Sequence, residues 1–250
     1  IQNNEFYLVF QPQYQLNNNQ LYGLETLLRW THPKLGLISP KKFIPIAESI
    51  GLIGDIGNWV IKTACHQFVE WQKSGKLIPT CKLSVNISPQ QLLPGNFPKS
   101  VAHILKETGL KPELLEFEIS EVAIMSTLSD SDETLSSLFE LGITISIDDF
   151  GAGYSSLSRI RKLPISTLKS DHAFINDVTY NKDSAAIVQS IIALSNNLNL
   201  NVIPIGIETK EQLEFLKQCN CPTAQGFLLS KPLTTKQMNK FLIKEKKQVD

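Results

Sequence analysis

Ile143-Thr144-Ile145-Ser146-Ile147-Asp148-Asp149-Phe150-Gly151-Ala152-Gly153 is the stretch that decides the fold. Its β-branched residues alternate with polar ones, the two-residue period of a strand with one apolar face. The strand ends in two adjacent carboxylates, and a glycine-rich turn follows at once. Adjacent carboxylates repel, so a fold that sets them at a strand end supplies cations to hold them. That pattern points to divalent-metal chemistry on a phosphate.

The same alternation recurs on either side. Leu83, Val85 and Ile87 oppose Ser84 and Asn86; Leu115, Phe117 and Ile119 oppose Glu116 and Glu118. One face of each strand is apolar and meets helices, while the other is polar and ends in a functional group. A sheet covered by helices on both faces does not alternate so clearly. A barrel with a polar upper lumen does, and its active site sits at the carboxyl edge of the strands.

Strands are expected at 6–15, 21–29, 82–87, 115–119, 143–148, 165–169, 201–205 and, weakly, 223–227. Helices are expected at 40–49, 55–73, 99–108, 130–141, 154–161, 183–197 and 209–218. Repeated βα units of this length predict an α/β fold, a TIM-type (β/α)8 barrel. The whole of 1–250 reads as one domain, as though cut from a longer protein.

Bulk composition narrows the function. The 250 residues are 42% hydrophobic, with 24 basic and 24 acidic side chains. Zero formal charge argues against a general polyanion binder such as a DNA-binding protein. Anion recognition must come from a focused site. No apolar run reaches the length of a bilayer span and no signal-peptide pattern opens the stretch, so neither membrane contact nor export is expected. Cys65 and Cys81 read as buried free thiols, and Cys219-Asn-Cys221 has no second cluster to complete a zinc site. A reducing cytoplasm is the expected setting. The histidines, His32, His66, His103 and His172, show no ligand spacing.

The polar residues at the strand ends are Glu25, Asn86, Glu118, Asp148, Asp149 and Lys169. Their carboxylate and amide oxygens suit hard cations. Two such ions would clamp the attacking and leaving oxygens of a phosphodiester.

These residues lie in motifs that resemble the EAL domain family: Glu25-Thr-Leu-Leu-Arg29-Trp30, Val85-Asn86-Ile-Ser88, Glu118-Ile-Ser-Glu121, Asp148-Asp-Phe-Gly-Ala-Gly153, Leu168-Lys169-Ser-Asp171 and Ala224-Gln225-Gly226-Phe227. The resemblance runs from Phe10-Gln11-Pro12-Gln13 to Lys231-Pro232-Leu233. Members are cyclic-di-GMP phosphodiesterases and receptors, with a barrel whose first strand runs antiparallel to the rest. The resemblance implies that Glu25, Asn86, Glu118 and Asp148 hold one Mg²⁺ or Mn²⁺, with Asp148 and Asp149 serving a second. It implies that Lys169 lies near the attacking water, that Gln225 is a site glutamine, and that Glu121 anchors the loop Gly151 to Leu157, which links the site to a homodimer. Gln11, Glu25, Leu27 and Arg29 would touch the dinucleotide, Arg29 on a phosphate, and Phe227 would stack on a base. Flanking signalling domains or a protein partner are expected in the longer protein.

One departure bears on activity. Where the family carries Ala-Glu-Gly-Val-Glu, this chain reads Pro204-Ile205-Gly206-Ile207-Glu208. Glu208 survives, but Ile205 stands where a glutamate holds the second metal. Isoleucine offers no oxygen and carries no proton, so the expected function is a cyclic-di-GMP receptor with impaired hydrolysis. The alternatives are an active metal-dependent phosphodiesterase yielding pGpG, with Glu208 as the replacement acid, and a pseudoenzyme that binds protein alone.

Overall fold

A computed structural model describes residues 3–93, 95–126, 131–151 and 157–249. Strands β1 (Phe6–Gln15), β2 (Leu21–His32) and β3 (Gly36–Ile38) open the chain, followed by helices α1 (Pro40–Ser49) and α2 (Ile53–Lys73). Then come β4 (Lys82–Asn86), α3 (Phe97–Thr108), β5 (Leu115–Ser120), α4 (Glu121–Ser126), α5 (Asp132–Glu140) and β6 (Thr144–Phe150). The rest is α6 (Leu157–Ile160), β7 (Thr167–Ser170), α7 (His172–Asn176), α8 (Lys182–Asn197), β8 (Asn201–Pro204), α9 (Lys210–Gln218), β9 (Thr223–Ala224), β10 (Leu233–Thr234) and α10 (Thr235–Val249).

The strands form one sheet in the order β10-β1-β2-β4-β5-β6-β7-β8. From β2 to β8 every neighbour along this path is parallel, while β1 pairs antiparallel with β2, as expected of the first strand. The sheet curls until its ends nearly meet. β9 pairs with β1, and the next residue, Gln225, bridges in parallel to Ile205 just past β8. Gln225 N–H donates to the Pro204 carbonyl, and Ile207 N–H donates to that of Gln225. The expected barrel is thus present, with Gln225 on its seam.

Strand parity separates two interiors. Leu83, Val85, Leu115, Phe117, Ile145, Ile147, Leu168 and Val202 are fully buried and pack outward against the helices. α2 meets them with Val60, Ala64, Phe68 and Trp71, a stripe at helical spacing. Trp71 also stands edge-on to Phe10, with ring centroids 4.9 Å apart. Burial of each such large apolar side chain contributes about 1.5–3 kcal/mol. The opposite parity fills the lumen with polar groups. Ser84 and Thr167 both donate to Glu116, at 3.2 and 2.8 Å, in a buried layer below the site.

Element boundaries shift where turn chemistry intervenes. β7 begins at Thr167 instead of 165, because Ile165 N–H is spent on a local turn to Leu163. The strand expected at 223–227 stops at Ala224. Gly226 then presses against the backbone of Ile207 and Leu229 N–H closes a turn onto it. Of the helix expected at 154–161, the described part is Leu157–Ile160. No helix among the described residues is long and apolar enough to cross a membrane.

Candidate active site at the carboxyl edge of the barrel

Lys169 stands at the centre of the site. It lies on β7 with a lumen-facing parity and is only 1% exposed. Its Nζ is 2.7 Å from Glu118 Oε2, 3.1 Å from Glu25 Oε2 and 3.8 Å from Asp148 Oδ1. Burial works against its charge, but Asp148, Glu118 and Glu25 outweigh burial and hold the ammonium well above its ordinary pKa. Burial also pushes Glu25 up. The Lys169 charge and hydrogen bonds from Gln225, Lys169 and Asn86 prevail, leaving this carboxyl below the usual range. Asn86 Nδ2 donates to Glu25 Oε1 at 3.1 Å, and Gln225 Nε2 donates to Glu25 Oε2.

Glu118 is in the opposite condition. Burial first, then repulsion from Glu25, drive its carboxyl well above the ordinary range in spite of Lys169. Its Oε1 is buried with no hydrogen-bond partner. Such an oxygen is costly to bury unless something bonds it. Burial likewise raises Asp148, and the Lys169 charge offsets part of that rise. The set of Glu25, Asn86, Glu118 and Asp148 therefore offers hard oxygen donors, one of them orphaned, to a cation.

Asp148 and Asp149 diverge because the sheet breaks register there. Pairing between β6 and β7 shifts between Ile147 and Phe150, and Asp149 adopts φ +53°. A non-glycine residue in the left-handed region is uncommon and clusters at functional sites. Asp149 N–H donates to Asp148 Oδ1 at 3.0 Å, so Asp148 stays on the lumen parity while Asp149 is exposed.

Above the acids opens a cleft of about 430 Å³. Its walls include Glu25, Leu27, Arg29, Asn86 and Asp148, whereas Gln11, Glu118, Asp149 and Phe227 are not among them. Arg29 Nη1 donates to the Leu28 carbonyl at 2.9 Å, and no acid among the described residues lies within ion-pair distance of it. Gln11 is buried and donates to the Ser230 carbonyl at 3.1 Å, bracing the segment after Phe227. Phe227 is 52% exposed, with Lys231 Nζ 5.9 Å from its ring centroid. Glu121 Oε2 accepts from Gly151 N–H at 2.8 Å. Residues 152–156 of the loop it was expected to anchor lie outside the described residues.

Two expected residues stand apart from this network. Glu208 is exposed, and its backbone N–H donates to Gln212 Oε1 at the start of α9. Ile205 is half-buried, two residues beyond Ile203, which pairs with Lys169 across β7 and β8. It therefore keeps the lumen parity at the rim. Gln13, to which the sequence assigns no role, is fully buried and donates to Gln225 Oε1 at 3.0 Å. Its polar parity on β1, shared with Gln11, is the signal that could have found it.

A model of the EAL domain family matches residues 1–232. This chain belongs to the EAL domain family. It is 40% identical over 238 residues to the bifunctional diguanylate cyclase/cyclic di-GMP phosphodiesterase MucR of Pseudomonas aeruginosa, covering 95% of this chain and 34% of MucR. The cyclic di-GMP phosphodiesterase NbdA of the same organism is 36% identical over 242 residues, covering 97% of this chain and 31% of NbdA. The chain thus spans about a third of the length of these relatives. Among solved structures, the MucR phosphodiesterase in complex with c-di-GMP superposes with a TM-score of 0.90 at 40% identity, covering 95% of each chain. The FimX EAL domain from Pseudomonas aeruginosa bound to c-di-GMP gives 0.84 at 26% identity, covering 93% of this chain and 92% of that one.

Gly226 lets the seam of this EAL site close against the backbone of Ile207. A Cβ there would overlap backbone atoms of Ile207, a contact no side chain tolerates. Gly226→Ala is expected to push Gln225 off Glu25 and Phe227 off its place, costing about 1–3 kcal/mol of stability. Urea unfolding checks this. Wild-type stability in the variant would mean that the seam is slack.

Proposed function

We propose that this EAL domain is a cyclic-di-GMP receptor whose hydrolysis is impaired. The observation that carries the reading is Ile205: an apolar side chain at the lumen rim, one bridge away from Gln225, where the family has a carboxylate. Around it the rest of the machinery is intact. Glu25, Asn86, Glu118 and Asp148 would hold one Mg²⁺ or Mn²⁺, with Asp149 toward a second, and Glu118 Oε1 is the orphan that such an ion would satisfy. A bound ion of this kind supplies charge stabilisation to a phosphodiester oxygen. Lys169 holds the carboxylates in register, Gln225 fixes Glu25 and is itself held by Gln13, and Arg29, with no acid partner among the described residues, offers its guanidinium fork to a phosphate. Leu27 lines the cleft, Gln11 braces the segment carrying Phe227, whose ring would meet a base, and Glu121 holds Gly151 just after the acid pair.

The same reading takes residues 1–250 as one regulatory module of a longer cytoplasmic signalling protein that acts as a homodimer. Exposed Val122 and Phe139, on the helices flanking residues 127–130, favour a dimer face. The intact first ligand set favours a second reading, an active phosphodiesterase in which Glu208 or another group replaces the missing glutamate.

Calorimetry with cyclic di-GMP, with and without Mg²⁺ or Mn²⁺, tests the proposal when the same samples are followed by chromatography for pGpG. Binding without product supports the receptor. Rapid product overturns it in favour of the enzyme, and no binding under any metal condition leaves a protein-only pseudoenzyme. Arg29→Ala is expected to weaken nucleotide binding about 10–100-fold, the loss of one charge-assisted phosphate contact of about 1.5–3 kcal/mol. Unchanged affinity would remove Arg29 from the site.

A further inference from the structure

Opposite the acid cluster, on the rim where the parallel strands begin, the fold leaves an apolar hollow of about 270 Å³. Leu21 opens β2, Leu77 and Pro79 precede β4, and Leu242 comes from α10; these side chains wall it. The three leucines are buried, whereas Ile78, which also lines the hollow, is exposed. The walls are braced by Asn239 of α10. Its Oδ1 accepts from Trp71 Nε1 at 3.1 Å and from Lys76 Nζ at 2.8 Å, which ties the end of α2 to α10. Gly75 turns the chain after α2 with φ +65°, and a Cβ there would stand 3.6 Å from Lys246 Nζ. Lys246, exposed and one turn past Leu242, thus reaches over this turn and borders the same hollow.

Two cations, Lys76 and Lys246, therefore line an apolar space, and among the described residues neither forms an ion pair with an acid. The acid on the lining, Glu245, is engaged elsewhere. It accepts from the Tyr14 hydroxyl, and burial raises its carboxyl above the ordinary value.

We propose that this hollow binds a small apolar carboxylate, one aromatic ring or a short acyl chain whose acid end meets Lys246 and Lys76. Size sets the upper bound. A dry cavity of roughly 150 Å³ holds benzene, so 270 Å³ has room for a ring and a carboxylate. It is smaller than the roughly 300–1,000 Å³ of sites for drug-sized ligands, which excludes a second dinucleotide. Charge sets the class. Ammonium groups without acid partners beside an apolar wall favour an anion, because charge-assisted hydrogen bonds are the stronger ones. The hollow lies at the other end of the strands from Asn86, Asp148 and Lys169, so the inference stands apart from the receptor reading.

Benzoate is the probe, with benzamide as its uncharged counterpart, in metal-free buffer without nucleotide. Methyl NMR spectra of the wild type are expected to show saturable shifts confined to Leu21, Leu77, Ile78 and Leu242. Benzamide is expected to bind at least about tenfold more weakly, and Lys246→Gln and Lys76→Gln are each expected to lose about tenfold in benzoate affinity, the usual loss with one charge-assisted contact. Far-UV circular dichroism confirms that the variants are folded. Shifts that do not saturate, or that gather at Leu27 and Leu28 in the cleft, overturn the proposal. So does benzamide binding as tightly as benzoate, or equal benzoate affinity in wild type and Lys246→Gln.

Discussion

Lys169→Met is expected to lower the stability of the metal-free protein by about 3–5 kcal/mol, the cost of breaking a buried ion cluster by removing one partner. Lys169 is the cation closest to Glu25, Glu118 and Asp148, and it is almost wholly buried. Without it the folded state must protonate one or more of these carboxyls or bury them charged. The sign of the pH dependence follows. Glu118 already titrates well above its ordinary value of 4.5, and removing Lys169 raises it further. The folded variant then binds more protons than the unfolded chain, so its stability falls as pH rises above about 4.5. Mn²⁺ restores the missing charge, so it should stabilise the variant more than the wild type. Urea unfolding in chelator at acid and at alkaline pH, then with Mn²⁺, measures all three effects. A pH-independent loss below about 1 kcal/mol would reduce Lys169 to an ordinary surface-type ion pair.

The charge balance of this cluster also explains what the sequence could and could not convey. Ile143 to Asp148 announces a one-sided strand, and the same alternation at Leu83–Ile87 and Leu115–Ile119 is enough for a barrel with a polar lumen. Glu25, Asn86, Glu118, Asp148 and Lys169 fall together because each lies on that parity of neighbouring strands. What period-two reasoning does not carry is closure. Gln225 joins the site because the chain after β9 bridges to Ile205, a long-range event with no local signature. Gln13 carries the polar parity of β1, but its partner Gln225 reaches it only through that closure. Depth is equally silent. A lysine at a strand end reads alike whether it reaches solvent or, like Lys169, sits 1% exposed among carboxylates.

Asp149 shows the limit most plainly. Linear spacing between polar residues is informative when they share a helix or a hairpin. Here Asp149 and Asp171 meet only because β6 and β7 are neighbours, and the register shift between Ile147 and Phe150 turns Asp149 outward. The positive φ at Asp149 belongs to the same break. Asp and Asn are among the residues that tolerate this conformation best, so the sequence permits the bulge without declaring it.

Ile205→Glu is expected to confer metal-dependent opening of cyclic di-GMP to pGpG, raising turnover about 10²–10⁴-fold, the usual worth of a positioned base. The side chain at 205 lies at the lumen rim beside the seam residue Gln225, two residues beyond the partner of Lys169. A carboxylate there would add an anionic oxygen at the lumen rim beside Gln225 and accept a proton that isoleucine cannot. The half-buried position makes the substitution tolerable in the folded protein, because the new acid meets solvent and a cation instead of the apolar helix-facing layer. Nucleotide affinity should change far less than turnover, since Arg29 and the first ligand set are untouched. Chromatography of pGpG with Mg²⁺ and with Mn²⁺, beside calorimetry on the same variant, separates the two quantities. Equal turnover in wild type and Ile205→Glu would mean that another group already supplies the base, and the receptor reading would fall with it. A variant that binds nucleotide as the parent does and gains turnover would locate the defect at this one side chain.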